Sequence, residues 1–184
     1  MNEFSTYEYV ILQKNRGLGK LKPILFIVMY ILLGIAFLLF AVITTIGAPL
    51  ISLAPIGVLI AWFLTWKYTK IEYEISVTSG VVTLSEIYGS KSRKHLVDFT
   101  LRDCSAIASL NDPTKKSFAE RYDAQIVYCA LSTPDSQNAY FATFENQKGK
   151  RCLLMFDANE KMLKICKFYN PSSTTVLKND TQDI

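Results

Sequence analysis

The longest uncharged stretch of this chain, Pro23 to Trp66, constrains its fold more than any other feature. A helix that crosses a bilayer needs about 20 apolar residues, so this stretch is too long for one buried core helix and suits two crossings. A kink-prone segment, Thr44 to Pro49, divides it. The stretch therefore predicts two transmembrane helices, at about residues 23–46 and 50–66.

Basic residues lie on both outer sides of this stretch, and the short connection between the two helices carries no charge. Positive residues stay on the cytoplasmic side during insertion. The pattern predicts a multi-pass protein of the cell membrane with both termini in the cytoplasm. A cleaved signal peptide is disfavoured, because the apolar stretch is much longer than a signal h-region. The flanking basic residues are Lys14, Arg16, Lys20, Lys22, Lys67 and Lys70.

The segments at the two ends have separate interpretations. Residues 1–22 are a cytoplasmic juxtamembrane segment, in which apolar side chains between Phe4 and Leu12 recur at near-helical spacing. That spacing favours either a short interfacial helix on anionic headgroups or a loosely ordered tail that supplies topogenic charge. Residues 171–184 are polar and are predicted to be disordered. Residues 70–170 remain as one soluble domain, in line with a typical domain length of about 150 residues.

The soluble domain begins with a two-residue hydrophobic period. Apolar side chains alternate with polar ones from Ile71 to Val77, which is typical of a half-buried strand, and Ser79-Gly80 supplies a tight turn. Residues 101–110 are ambiguous between a strand and a short helix, and residues 111–121 are interpreted as a loop. Further strands are predicted over residues 81–88, 93–100, 125–131, 139–145 and 151–156.

The last predicted element is an amphipathic helix over residues 159–169. Asp157 precedes Glu160 by three residues, which is the aspartate form of a capping box. The face expected to cover the sheet carries Met162, Ile165, Cys166 and Tyr169. The predicted fold class is thus a membrane α-helical hairpin plus an α+β soluble domain, an antiparallel sheet or partly open barrel capped by a C-terminal helix.

Four stretches carry a family resemblance: Tyr73–Gly80, Gly89–Arg93, Leu96–Phe99 and Leu153–Leu163. With two membrane helices before them, they resemble the bacterial pleckstrin-homology-like (PH-like) membrane proteins, and more specifically small two-span proteins of Gram-positive anaerobes. The resemblance implies a PH-like fold and an anchored topology, and it carries no activity over. Eukaryotic relatives of the fold bind phosphoinositides through a basic first hairpin loop, whereas this loop, Thr78 to Gly80, has no basic residue.

The basic run at residues 91–95 is the sharpest feature of the soluble domain. It is either a contact for anionic lipid headgroups or another membrane protein, or a solvated hairpin whose lysines keep a strand edge soluble. Aromatic residues do not interleave with it, which disfavours nucleic-acid binding. The candidate contact residues are Lys91, Arg93, Lys94 and His95.

Gly57 and Ala61 form a small-x-x-x-small pair in the second apolar helix. Such a face lets another helix approach closely, which is either the first helix of the same hairpin or a helix of a second protein. No Asp, Glu, Lys, Arg or His lies within the apolar stretch, which disfavours a transporter or pump built from these helices alone.

The sequence offers no catalytic motif. The four cysteines have no metal-ligand spacing, and His95 is the one histidine. We therefore expect reduced, mostly buried thiols, no cofactor, no metal site and no enzymatic activity. The functional hypothesis is a membrane-anchored interaction or regulatory module that holds a PH-like domain at the inner leaflet. The alternative is an accessory subunit of a membrane transport or envelope assembly that acts through the transmembrane hairpin.

Overall fold

The computed structural model describes residues 6–13, 21–44, 47–89 and 92–176. The chain divides into two compact units. The helical unit comprises residues 15–71 and 88–92, and the strand unit comprises residues 1–14, 72–87 and 93–184. The helical unit is therefore inserted into the sequence of the strand unit rather than attached at one end.

The helical unit contains two helices, α1 (Leu21–Ile43) and α2 (Gly47–Thr65), followed by a 3-10 turn at Trp66–Thr69. Both predicted helices are present, and each is shifted by a few residues. Among the described residues, α1 is the one helix that is long and apolar enough to cross a membrane. The predicted pair of crossings is thus supported for α1 alone.

The helices pack through one stripe of α1. The Tyr30 hydroxyl forms a hydrogen bond with the Thr65 hydroxyl of α2, and Thr65 donates back to the Ala61 carbonyl at 2.6 Å. The buried or half-buried positions of α1 recur every three or four residues, as in left-handed helix pairs. They are Pro23, Phe26, Tyr30, Gly34, Phe37, Ala41 and, just beyond the helix, Thr44.

The first sheet contains β1 (Thr6–Leu12), β2 (Ile71–Thr78), β3 (Val81–Tyr88) and β4 (Ser92–Thr100), in that order. β1 is antiparallel to β2, with Leu12 opposite Glu72. A helix or a loose tail was the wrong interpretation of this segment, because Tyr7, Tyr9 and Ile11 alternate toward the core and pair with a strand distant in sequence.

The second sheet has the order β6-β8-β7-β5-β9. Its strands are β5 (Ala106–Ser109), β6 (Ile126–Ala130), β7 (Ala139–Glu145), β8 (Arg151–Asp157) and β9 (Thr174–Thr175). β7 and β8 agree with the strands predicted over residues 139–145 and 151–156, and they pair with each other as an antiparallel hairpin. The wholly antiparallel arrangement is corrected, because β6 runs parallel to β8 and β9 runs parallel to β5.

The start of the predicted disordered tail is ordered. The buried Asn170 side chain donates to the carbonyls of Leu101 and Cys104, each at 2.9 Å. Its own carbonyl oxygen accepts from the Ser173 amide at 3.2 Å. These bonds direct the chain into β9, and residues 177–184 of the predicted tail lie outside the described residues.

Two helices complete the strand unit, α3 (Pro113–Arg121) and α4 (Glu160–Tyr169). The loop predicted at residues 111–121 is wrong, because Asp112 caps α3 by accepting from the Thr114 amide at 2.9 Å, and a proline follows at the first helical position. Residues 101–110 are a 3-10 turn, Leu101–Asp103, followed by β5.

The predicted terminal helix is confirmed as α4, with a different cap. Asn159 accepts from the Met162 amide at 2.9 Å, whereas the Asp157 carboxylate accepts from the Ser132 amide at 2.7 Å. Met162, Ile165 and Cys166 are fully buried, as predicted, and Leu163 joins them. They pack in one core with the inner faces of both sheets, where Phe99 and Phe144 stack with ring centroids 4.0 Å apart.

The turn between β2 and β3 packs against the end of α4. Ser79 and Gly80 both have positive φ, at 51° and 84°, which matches the turns that join twisted antiparallel strands. A Cβ atom on Gly80 would lie 2.7 Å from the Tyr169 ring. Glycine is therefore required here by both backbone and packing.

Candidate functional site

The basic run begins β4, where Arg93 forms an ion pair across the sheet. Arg93 Nη2 lies 2.5 Å from Glu74 Oε2, and the two side chains are 59% and 7% exposed. Lys94 is exposed, and Lys91 lies outside the described residues. The guanidinium thus compensates a buried carboxylate of its own sheet and is less available to an external anion.

Sequence reasoning missed Glu74, which looks like an ordinary outward residue of an alternating strand. Its burial raises its pKa above the usual range for glutamate, and the nearby Glu8 carboxyl raises it further. Arg93 opposes this shift without cancelling it. The sequence around Glu74 does not indicate this environment, because Glu8 and Arg93 come from two other strands.

His95 is also paired within the strand unit. Its Nε2 lies 2.9 Å from Asp98 Oδ1 on the same strand. Burial alone would raise the pKa of Asp98, but hydrogen bonds from His95 and Thr83 bring it below the ordinary value. Two members of the predicted contact set, Arg93 and His95, therefore already have carboxylate partners.

An open groove of about 360 Å3 runs beside this segment, within the strand unit. We call it the β4–β6 groove, because β4 and β6 each end one of the two sheets among the described strands. The β7–β8 turn closes one side of it. Its polar and aromatic lining includes His95, Asp98, Tyr128, Lys148 and Lys150.

The β7–β8 turn is held by one side chain. Asn146 Oδ1 accepts from the Lys148 amide at 3.0 Å and from the Lys150 amide at 2.9 Å. The backbone that carries both lysines is thereby fixed in place. The local sequence of this turn is polar and does not indicate that the turn borders a groove.

The two residues of the predicted helix-packing face, Gly57 and Ala61, differ in their exposure. Ala61 is half-buried on the side of α2 that also carries Thr65, the partner of α1. Gly57 is exposed, and a Cβ atom there would meet nothing within 4 Å. Packing of α2 on α1 therefore does not use Gly57.

The cysteines divide into three buried thiols and one exposed thiol. Cys104, Cys152 and Cys166 are buried and Cys129 on β6 is exposed, and all four are free. Burial raises the pKa of Cys166 to about 12 and also raises that of Cys104. Among the described residues, no group of three or more His, Cys, Asp or Glu side chains is arranged to hold a metal ion.

A comparison with protein-family models matches residues 5–176 to a bacterial PH-like domain (DUF6106). The match therefore includes both units of the chain. Neither the curated proteins nor the solved structures contain a significant match.

Proposed function

The chain belongs to the family of bacterial PH-like domains described as DUF6106, and we propose that it is a membrane-anchored, non-enzymatic interaction module. In this proposal α1 and α2 both cross the cell membrane, both termini are cytoplasmic, and the strand unit works at the inner leaflet.

The observation that carries the proposal is the position of the helical unit in the chain. The chain leaves the first sheet at the end of β1 and returns at the start of β2, where Leu12 and Glu72 are opposite each other. Both connections to the helices thus emerge from the same end of neighbouring strands. A pair of membrane helices inserted in this way holds the sheet at two adjacent points.

The surface of α1 supports a lipid environment. Outside the stripe that packs on α2, its large apolar side chains are exposed, among them Leu25, Leu32 and Val42. Soluble monomers rarely expose a continuous apolar surface of this kind. The basic residues before α1 and after α2 favour cytoplasmic connections.

An interaction role is favoured over catalysis by the polar side chains of the strand unit. Arg93 is paired with a carboxylate of its own sheet, and three of the four thiols are buried. The groove, in contrast, is open and bordered by lysines. These features suit binding better than the activation of a nucleophile, which needs a base in hydrogen-bond reach.

Anchoring is tested by alkaline extraction of membranes from cells that express the full chain. We expect the chain to stay in the membrane pellet, and Leu32→Arg with Ile35→Arg to release it, because arginine near the centre of a membrane helix costs about 2.5–3.5 kcal/mol. Release of the unmodified chain would contradict the proposal.

Orientation is tested with a maleimide that does not cross membranes. The exposed Cys129 should react in lysed cells but not in intact cells. In a Cys129→Ser background, Ala48→Cys should react in intact cells, because it lies in the first turn of α2. Labelling of Cys129 in intact cells would place the strand unit outside and contradict the topology.

The second candidate is an accessory subunit of a membrane assembly, and the exposed Gly57 favours it. A small residue on an open helix face permits close approach of another helix. A photo-crosslinker at position 57 should then capture a membrane protein, whereas one at the half-buried Ala61 should react within the hairpin. Equal capture from both positions would count against this candidate.

A further inference from the structure

We propose that the outer edge of β6 binds an extended acidic peptide segment of a partner protein, which adds as a strand in the β4–β6 groove. This inference rests on the proposed interaction role and names the partner's chemistry. It starts from the fact that β6 has β8 on one side and, among the described strands, no neighbour on the other.

The edge of β6 lacks the usual protection. The strand reads Ile-Val-Tyr-Cys-Ala, with no charge and no proline, and the Val127 side chain is 54% exposed. Exposed edges normally carry lysine, proline or a bulge, because unpaired backbone groups recruit other strands. β4, the other edge at the groove, carries Arg93, Lys94 and His95 directly after its first residue and is protected in that way. Strand addition is therefore assigned to β6.

The charge of the groove selects an acidic occupant. Lys148 and Lys150 border it, and neither forms an ion pair with an acidic side chain of the described residues. The acidic lining residue Asp98 is already paired with His95. A second copy of this chain would bring its own Lys148 and Lys150 to the same edge, so like charges disfavour it.

The site is also pre-organised. Asn146 fixes the backbone of both lysines through two hydrogen bonds, and β6 is held in register by β8 from Ile126 to Ala130. A rigid edge and a rigid turn lose little freedom when a peptide binds. Since a strand rises about 3.3 Å per residue, the edge accommodates a segment of about five residues. Backbone hydrogen bonds would provide the affinity and the lysines the preference for acidic side chains.

The test uses the full chain in uncharged nanodiscs and a fluorescent peptide of alternating glutamate and valine, Glu-Val-Glu-Val-Glu-Val. Binding is followed by anisotropy. The groove variant is Lys148→Glu with Lys150→Glu, and the matched control is Lys115→Glu with Lys116→Glu on α3, which makes the same charge change elsewhere. A second probe carries N-methyl groups on every backbone amide, so that neither edge of the peptide can donate hydrogen bonds, and keeps the same charges.

We expect the groove variant to weaken peptide binding at least about tenfold, or 1.4 kcal/mol, and the control pair to leave it within about twofold. The N-methylated peptide should not bind, because it cannot pair as a strand. Equal losses in the groove and control variants, or undiminished binding of the N-methylated peptide, would overturn the proposal.

Two further outcomes assign the edge to another occupant and also overturn it. In the first, the detergent-solubilised parent chain binds phosphatidylglycerol vesicles but not the peptide, and the groove variant does not bind the vesicles. The other is a dimer, seen by light scattering, that the groove variant abolishes or strengthens. Membrane extraction and maleimide labelling do not depend on the groove, so the proposed anchoring would stand if the peptide failed to bind.

Discussion

Arg93 and Glu74 form an ion pair across the first sheet in which one partner is exposed and the other is buried. The buried carboxylate of Glu74 needs the guanidinium of Arg93 to compensate its charge, whereas the exposed guanidinium is also solvated by water. This asymmetry makes the pair a sensitive point for stability and for its dependence on pH.

The first prediction concerns pH and the Glu74→Gln variant. The pKa of Glu74 is raised in the folded chain above the ordinary 4.5, so the folded state holds this proton more tightly than the unfolded state. The contribution of Glu74 to the free energy of unfolding is complete below the pKa that Glu74 has in the unfolded chain. It is lost as the pH rises through the pKa that Glu74 has in the folded chain. Relative to Glu74→Gln, the parent chain should therefore become less stable as the pH rises from below the ordinary glutamate pKa to above the raised pKa of Glu74.

Chemical unfolding in detergent at a series of pH values measures this difference. Glu120→Gln on the exposed face of α3 is the matched control for the same chemical change. The raised pKa would be contradicted if the difference in unfolding free energy between the parent and Glu74→Gln did not change with pH, or if it changed in the opposite direction.

The second prediction is a coupling between Arg93 and Glu74. Arg93→Gln leaves the carboxylate of Glu74 buried without its cation, which should cost about 1 kcal/mol once the exposure of Arg93 is taken into account. The same substitution in a Glu74→Gln background should cost much less. A double-mutant cycle at neutral pH measures the coupling, and strict additivity would show that the ion pair does not contribute.

The third prediction separates backbone strain from packing at two glycines. Gly80→Ala and Gly149→Ala both place alanine at positive φ, but only position 80 faces a neighbour, the Tyr169 ring. The shared backbone cost is about 1–2 kcal/mol. Gly80→Ala should lower the melting temperature clearly more than Gly149→Ala, and equal losses would mean that the Tyr169 contact does not matter.

The fourth prediction concerns the cover that α4 gives to the core. Met162 is 1% exposed, so Met162→Asp buries an unpaired charge and should cost about 4 kcal/mol or more. Lys167→Asp introduces the same residue on the exposed side of the same helix and should cost less than about 1 kcal/mol. Thermal melts of the two full-length variants compare them directly, and similar melting temperatures would make α4 an appendage.

The fifth prediction concerns thiol reactivity. In the native chain one cysteine, Cys129, should react quickly with maleimide, and three should react only after denaturation. Burial and the raised pKa values of Cys104, Cys152 and Cys166 both slow their reaction, since the thiolate is the nucleophile. Mass spectrometry of labelled peptides distinguishes the four. Rapid native labelling of Cys166 would place α4 away from the core.

The features that were predictable from the sequence are those with local signals. The alternation in β2, the turn at Ser79-Gly80 and the periodicity of α4 each depend on residues close together in the chain. β1 was missed because its partner follows only after the helical unit. α3 was missed although Asp112-Pro113 is a usable start signal, because its few apolar residues hide its periodicity.

The groove depends on relations that no local pattern contains. Alternation within β6 does not reveal that its neighbour β8 runs parallel to it. Nor does the polar turn that carries Lys148 and Lys150 reveal that it lies beside β4. Similarly, the buried Glu74 differs from exposed glutamates only through residues contributed by other strands.

The insertion of the helical unit between β1 and β2 also determines the order of assembly. During synthesis β1 emerges first and must wait until α1 and α2 have been made before its partner strand exists. The edge of the first sheet can therefore be completed only after the helical unit has been synthesised. A cut within the helical unit would separate β1 covalently from every other described strand, so a protease could not remove the helical unit and leave the strand unit as one covalent chain.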